Sequence, residues 1–208
     1  MNPLEIPEIV IKRLPLYLRT LNLLATQKQT VTSSQELGDK LGISSTQIRK
    51  DLSYFGEFGK QGTGYDVRYL QDQLRQILQV NRRWSVALIG AGDLGRAILR
   101  YSSFEDGGFS IVAVLDKDKQ KIGRQVGKLR VLDIATLPEV VREYRIRTAI
   151  LAVPATEAQG VADALVAAGV KAILNYAPIT LSLPARIQVH HIDPVIGLQS
   201  MTYYLSPD

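Results

Sequence analysis

The string Gly90-Ala91-Gly92-Asp93-Leu94-Gly95 constrains this chain most, because of what flanks it. It follows the apolar run 86–89 and opens the amphipathic stretch 94–101, so it reads as the turn between a strand and a helix. In that setting Gly90 allows the tight turn, Gly92 lets backbone amides approach a pyrophosphate, and Gly95 lets the helix pack close to the strand. The helix start adds unpaired N–H groups and a positive dipole end, which suit an anion. The next apolar run, 111–115, ends in Asp116, 21 residues beyond Gly95. A carboxylate at that point receives the hydroxyls of an adenosine ribose and repels a 2′-phosphate, so NAD is expected over NADP. Lys117 and Lys119 follow and work against that preference. Glycines that serve only a tight turn are the alternative reading.

The segments around this string repeat the pattern. Short apolar runs at 86–89, 111–115, 149–153 and 172–174 alternate with amphipathic stretches at 94–101, 137–144 and 157–168. Strands alternating with helices predict a parallel sheet covered on both faces. Ligands of such sheets lie beyond the carboxyl ends of the strands. That rule adds Val153 and Pro154 after one strand, and Asn175 at the head of Asn175-Tyr176-Ala177-Pro178 after another, as candidates bordering a nicotinamide or its ribose.

The first 80 residues read differently. Residues 9–25 carry Leu14, Leu18, Leu21 and Leu24 near helical spacing, with Pro15 predicting a kink or a first helical turn. Ser33 with Glu36, and Ser44 with Gln47, have the spacing of reciprocal capping boxes, and Gly42 stands between them as a helix stop. Residues 33–55 are thus helix, turn, helix. Gly56, Gly59, Gly62 and Gly64 follow, then 65–67, which predicts two short strands and a turn; residues 67–80 return to helix. This is the order of a winged helix-turn-helix. The fold class is therefore α/β, with an N-terminal winged helix-turn-helix domain at 1–80, then a Rossmann-like parallel-sheet domain from 81.

At roughly 100° per residue, the second helix turns Ile48, Leu52 and Phe55 to one side. Thr46, Arg49, Lys50, Ser53 and Tyr54 fall on the other, a mixture suited to phosphates and base edges. Lys60, in the glycine-rich turn, is placed to reach a minor groove or phosphate. Charge adds little. Lys and Arg number 25 against 20 acids, net +5, with ten against eight in residues 1–80 and fifteen against twelve in 81–208. The helix face carries the argument.

Composition closes off whole classes of chemistry. With no cysteine, the chain has no disulfide, thiol redox centre or Cys-ligated metal. Its two histidines, His190 and His191, are adjacent, so on a strand they point to opposite faces and cannot share one metal. No apolar run suits a membrane span and 1–13 lacks a signal-peptide layout, so a cytoplasmic protein is expected. Two other functions fit parts of the chain. One is a small NAD-dependent dehydrogenase, for which acid–base candidates are limited to the histidines or a tyrosine. The other is a CoA- or adenylate-binding module.

The chain also resembles the Rex family of bacterial redox-sensing transcriptional repressors, over about residues 9–198. The resemblance rests on Arg13-Leu14-Pro15-Leu16-Tyr17-Leu18-Arg19, on Gln47-Ile48-Arg49-Lys50-Asp51-Leu52-Ser53-Tyr54-Phe55-Gly56, and on Gly62-Thr63-Gly64-Tyr65. The glycine fingerprint and Asn175-Tyr176-Ala177-Pro178 extend it. It implies a homodimer that binds a palindromic operator in double-stranded DNA and is released when NADH, rather than NAD+, occupies the nucleotide domain. No enzyme activity, metal or membrane is implied. Carried over by position, Arg49, Lys50, Ser53 and Tyr54 contact DNA, while Gly90, Gly92, Gly95 and Asp116 hold the cofactor together with the rest of that turn, Ala91, Asp93 and Leu94, and the neighbouring Lys117. Tyr101 matches a tyrosine associated with sensing the nicotinamide. Arg19 and Asp193 match a pair that couples the DNA-binding domain of one subunit to the nucleotide domain of the other. The nucleotide domain then spans 81–192, and 193–208 is a helix exchanged between subunits. Two positions depart from the family: Pro194 where an aromatic often enters the partner's pocket, and Gln61 where the wing commonly has arginine.

Overall fold

The computed structural model describes residues 6–59 and 63–205. The chain divides into two compact units between Arg82 and Arg83. In the first, α1 (Glu8–Thr26), α2 (Ser34–Leu41), α3 (Ser45–Ser53) and α4 (Val67–Ile77) enclose a core that includes Leu14, Tyr17, Leu21, Leu24, Leu37, Ile48, Leu52, Leu70 and Leu74. Pro15 lies mid-helix in α1 rather than in a first turn, and the helix runs through it. An interior proline costs about 3 kcal/mol. Burial of Leu14, Tyr17, Leu21 and Leu24 on the same helix stabilises it by about 1.5–3 kcal/mol for each large apolar side chain, which outweighs that cost.

The caps work in one direction only. Ser33 Oγ accepts the Glu36 amide at 3.0 Å and Ser44 Oγ accepts the Gln47 amide at 3.2 Å, as the spacing predicts. The reciprocal bonds go elsewhere. Glu36 takes Gln29 Nε2 and Thr32 Oγ1, both at 2.8 Å, and Gln47 donates to Asp51 at 2.7 Å. Gly42 ends α2 in the left-handed region at φ 67°, where a side chain would be strained.

Residues 60–62 of the expected hairpin lie outside the described residues. Among the described residues of the glycine-rich segment one strand forms, β2 (Tyr65–Asp66), and it pairs antiparallel with β1 (Val31–Thr32), which precedes α2. A pairing across more than thirty residues is invisible to local pattern reading. Gly64, at φ 75°, brings its backbone against the Thr32 carbonyl, where any side chain would collide.

The second unit is a seven-stranded sheet in the order β5-β6-β4-β3-β7-β8-β9. Its strands are β3 (Trp84–Ile89), β4 (Phe109–Asp116), β5 (Gln125–Val126), β6 (Leu129–Asp133), β7 (Thr148–Leu151), β8 (Ala172–Asn175) and β9 (Gln188–His191). All neighbours are parallel except β5 and β6. Side chains alternate between two cores. Ala87, Ile89, Ala113 and Leu115 pack with α7 (Leu137–Glu143) and α8 (Ala155–Ala167), while Val86, Leu88 and Val114 pack with α5 (Asp93–Leu99) and α6 (Ser103–Asp106). The chain leaves β3 towards β4 on one side and later returns to β7 on the other. The topological switch therefore falls between β3 and β7, where such sheets bind ligands. A last helix, α9 (Pro194–Thr202), leaves Val195, Ile196, Leu198 and Met201 exposed. Among the described residues no helix is long and apolar enough to cross a membrane.

Candidate nucleotide cleft and nucleic-acid interface

A cleft of about 540 Å³ opens at the carboxyl ends of β3, β4 and β7. Its volume lies in the range of small-molecule and cofactor sites. Gly90, Gly92, Asp116, Lys117, Val153 and Pro154 line it, as the sequence predicts. The three fingerprint glycines have separable reasons. Gly90 takes φ 104° and lies against the Ala152 carbonyl, leaving no room for a Cβ. Gly95 packs against the Gly90 carbonyl, which any side chain would strike. A Cβ on Gly92 would meet nothing, so this glycine keeps the approach to the loop amides clear.

Asp116 is nearly buried, and its carboxylate is well supplied with donors. Ala91 N donates at 2.8 Å, Asp118 N at 2.9 Å and Lys121 Nζ at 3.1 Å. Burial pushes this carboxyl up, but the Asp118 and Ala91 amides and Lys121 together outweigh it and hold the group below the ordinary carboxylate value. A carboxylate offers about four lone-pair sites, so one remains for a ligand hydroxyl.

The other predicted residues divide. Ala91 is buried and its amide serves Asp116 rather than the cleft. Asp93 is exposed and pairs with Arg96, and Leu94 is half exposed on the first turn of α5. Lys117 is tied to Glu157 at 2.6 Å, across the cleft from β4 to the first turn of α8. Asn175 is a correction: it is fully buried and does not line the cleft. Its Oδ1 accepts Ala177 N at 2.9 Å, and its Nδ2 lies within 3.1 Å of the Ala177 and Ile179 carbonyls and of His191 Nδ1. That side chain shapes the loop after β8, and its burial keeps it from the cleft. Tyr101 is exposed, edge-on to Phe104 at 5.7 Å, in a separate cleft of about 470 Å³. Arg19 is exposed on α1, and Asp193 caps α9 by accepting Val195 N at 2.9 Å. His190 and His191 both lie on β9, outside the cleft lining. No group of metal-ligating side chains occurs among the described residues.

Sequence reading missed Asp118, Lys121, Ile134, Glu157 and Val161 in the cleft. The first two had a local signal, since an acid followed by a turn in Asp116-Lys117-Asp118 tends to fold back on backbone amides. Glu157 and the apolar pair required the tertiary fold.

On α3, Thr46, Arg49, Lys50 and Ser53 are exposed and Tyr54 is half-buried, while Ile48 and Leu52 enter the core. Arg49 is pre-oriented: Nη1 donates to Ser34 Oγ at 2.9 Å and Nη2 to Thr46 Oγ1 at 3.1 Å. Ser34, on α2, was not foreseen. Lys60 and Gln61 lie outside the described residues.

Known proteins match both halves. The CoA binding domain family matches residues 81–179, and the family described as putative DNA-binding protein N-terminus matches residues 5–53. The redox-sensing transcriptional repressor Rex of Chloroflexus aggregans is 53% identical over 200 residues, covering 96% of this chain and 94% of that protein. Its counterpart in Carboxydothermus hydrogenoformans is 44% identical over 208 residues and covers both chains fully. Among solved structures, RSP in complex with β-NAD+ and operator DNA aligns with a TM-score of 0.90 at 37% identity, over 95% of this chain and 91% of that one. RSP in complex with β-NADH aligns at 0.87 and 35% identity, over 96% and 94%. With relatives this similar over nearly its whole length, the chain belongs to the Rex family of redox-sensing transcriptional repressors.

Proposed function

We propose that this protein is a transcriptional repressor that binds operator DNA through α3 and is released when NADH occupies the cleft at β3 and β7. The observation that carries the reading is the likeness, over 95% of the chain, to a Rex-family repressor solved with both β-NAD+ and operator DNA. Arg49 and Lys50 meet phosphates and base edges, with Thr46, Ser53 and Tyr54 beside them, and Lys60 adds a further contact. Gly90 makes the tight turn, its own amide held by the Leu115 carbonyl at 2.8 Å, and Gly92 leaves the pyrophosphate room at the start of α5; Gly95 keeps α5 close, and Asp116 receives a ribose hydroxyl. Lys117, Val153 and Pro154 border the bound dinucleotide. The ligand acts by its redox state and supplies no chemistry to the protein, which is a regulator and not an enzyme.

Coupling two such sites requires a ligand with different affinity for two global states, and couplings of about 1–3 kcal/mol are typical. A dimer supplies the lever. Two copies of α3 must match half-sites about one helical turn of DNA apart, so a modest rotation weakens binding to a palindrome. The apolar side chains exposed on α9 support a homodimer in which 193–208 is exchanged between subunits. Arg19 and Asp193 act across that dimer, and Tyr101 responds to the nicotinamide. A cytoplasmic location accords with this role. In a gel-shift titration, NADH should weaken operator binding and CoA should not. No release at any NADH concentration up to millimolar would refute the reading, and release by CoA alone would favour a CoA-responsive regulator instead.

A further inference from the structure

Asp51 lies on α3 with its side chain fully buried, on the flank away from Thr46, Arg49 and Lys50. Four donors meet its carboxylate: Arg13 Nε at 2.6 Å, Arg13 Nη2 at 2.7 Å, Tyr17 Oη at 2.5 Å and Gln47 Nε2 at 2.7 Å. Arg13 and Tyr17 stand one turn apart on α1, so three of these bonds tie α3 to another helix. Stability does not explain why charge is used here. A buried ion pair is on average no better than apolar side chains of the same volume, because both ions must leave water. What such a pair adds is direction. Ile48 and Leu52 give α3 a buried side, but apolar contacts are non-directional and tolerate small rotations. A bidentate guanidinium–carboxylate fork fixes both distance and plane.

We infer that Asp51, held by Arg13 and Tyr17, is a positioning residue that sets the roll of α3 and thereby the sequence discrimination of the repressor. The inference rests on the reading that α3 carries the DNA contacts. With side chains at about 5–6 Å from the helix axis, a roll of about 20° moves their surface by about 2 Å. A base-edge hydrogen bond, confined to about 2.7–3.2 Å, does not survive that shift. Phosphate attraction by Arg49 and Lys50 does, since it depends on charge and not on fine geometry. The network therefore acts on the ratio of operator to random-sequence binding rather than on binding to DNA as such.

The test uses the full chain, a duplex selected by this protein from a random pool, and a random-sequence duplex of equal length at the same salt. In R13M/Y17F/D51L both charges and the phenol are removed together, which keeps the site packed. The expected result is a melting temperature within a few degrees of the parent and random-sequence affinity within about twofold. Affinity for the selected duplex should fall about ten- to a hundredfold, the size of one lost bidentate base contact. Should the triple variant not fold, Arg13→Lys keeps the charge and loses the fork, and the same ratio should fall by about three- to tenfold. Arg49→Ala separates the two levels of the argument. If it leaves affinity for the selected duplex intact, the reading of α3 fails. If it weakens that affinity while a folded Arg13 or Asp51 variant keeps the parental ratio, the inference is overturned.

Discussion

Asp51 and Asp116 are both buried acids held below the ordinary carboxylate value, one in each unit, and they differ in who supplies the hydrogen bonds. Among the described residues Asp51 is met by side chains, from Arg13, Tyr17 and Gln47. Burial alone would raise it; the bonds from Arg13, Tyr17 and Gln47 reverse the shift. Asp116 is met by two backbone amides and Lys121, and it borders an open cleft. Fixed amides organise a carboxylate without enclosing it, and a ligand can complete the set. Side-chain donors close around it and join two helices. In the proposed function, one acid is scaffold for an interface on the far side of its helix, and the other is part of a binding surface.

Removing each acid tests that contrast. Asp51→Ala strands the Arg13 guanidinium and should destabilise the first unit by about 3–5 kcal/mol, the usual cost of breaking a buried pair. Urea unfolding followed by helical circular dichroism would show it. Trp84, the chain's single tryptophan, lies in the second unit and reports that unit's transition, which should be unmoved. A shift in the tryptophan transition of similar size would break the comparison.

Asp116→Ala should act first on the ligand. Loss of a charged acceptor for a ribose hydroxyl costs about 1.5–3 kcal/mol, or about ten- to a hundredfold in NADH affinity by calorimetry. Operator binding without nucleotide should stay near the parent. Unchanged NADH affinity would place Asp116 with Asp51, as scaffold alone.

Acid provides the third test. Both carboxyls lie below the unfolded value of about 3.9, so the unfolded chain binds more protons as the pH falls. The stability they contribute is complete above about pH 5 and is lost as the pH falls through the lowered values. Each contributes at most about 1.4 kcal/mol per pH unit to that slope. Asp51→Asn should flatten the acid limb for the first unit only, and an unaltered limb there would contradict the assignment. The smallest effect is expected at the partly exposed pair Lys117–Glu157, where Glu157→Gln should change stability by less than about 1 kcal/mol.

Much of this was legible in the residues. The fingerprint turn, Asp116 after the second strand and the exposed side of α3 follow from local spacing, and each lies where the pattern put it. Most of what escaped has a common cause. The β1–β2 pairing, β9 beside β8, and Glu157 beside Lys117 join segments far apart in sequence, where periodicity carries no information. The antiparallel pair β5–β6 is local, but its register spans only Val126↔Leu129 and Gln125↔Arg130, too short for a period to show. Asn175 misled because a side chain at a strand end reads the same whether it faces a ligand or its own loop. Asp51 did leave a trace. It falls about 60° from Ile48 on the helical wheel, an acid within the apolar sector, and such an acid needs a cation from elsewhere.

The central claim is that one chain couples nucleotide state to operator binding through a single cleft. Fluorescence anisotropy of a labelled operator, titrated with NADH at several fixed NAD+ concentrations, tests it most directly. The account predicts full release by NADH, with a midpoint that moves in parallel to higher NADH as NAD+ rises, and a release curve shifted to about ten- to a hundredfold higher NADH in Asp116→Ala. A release curve indifferent to NAD+, or no release at all, would contradict it.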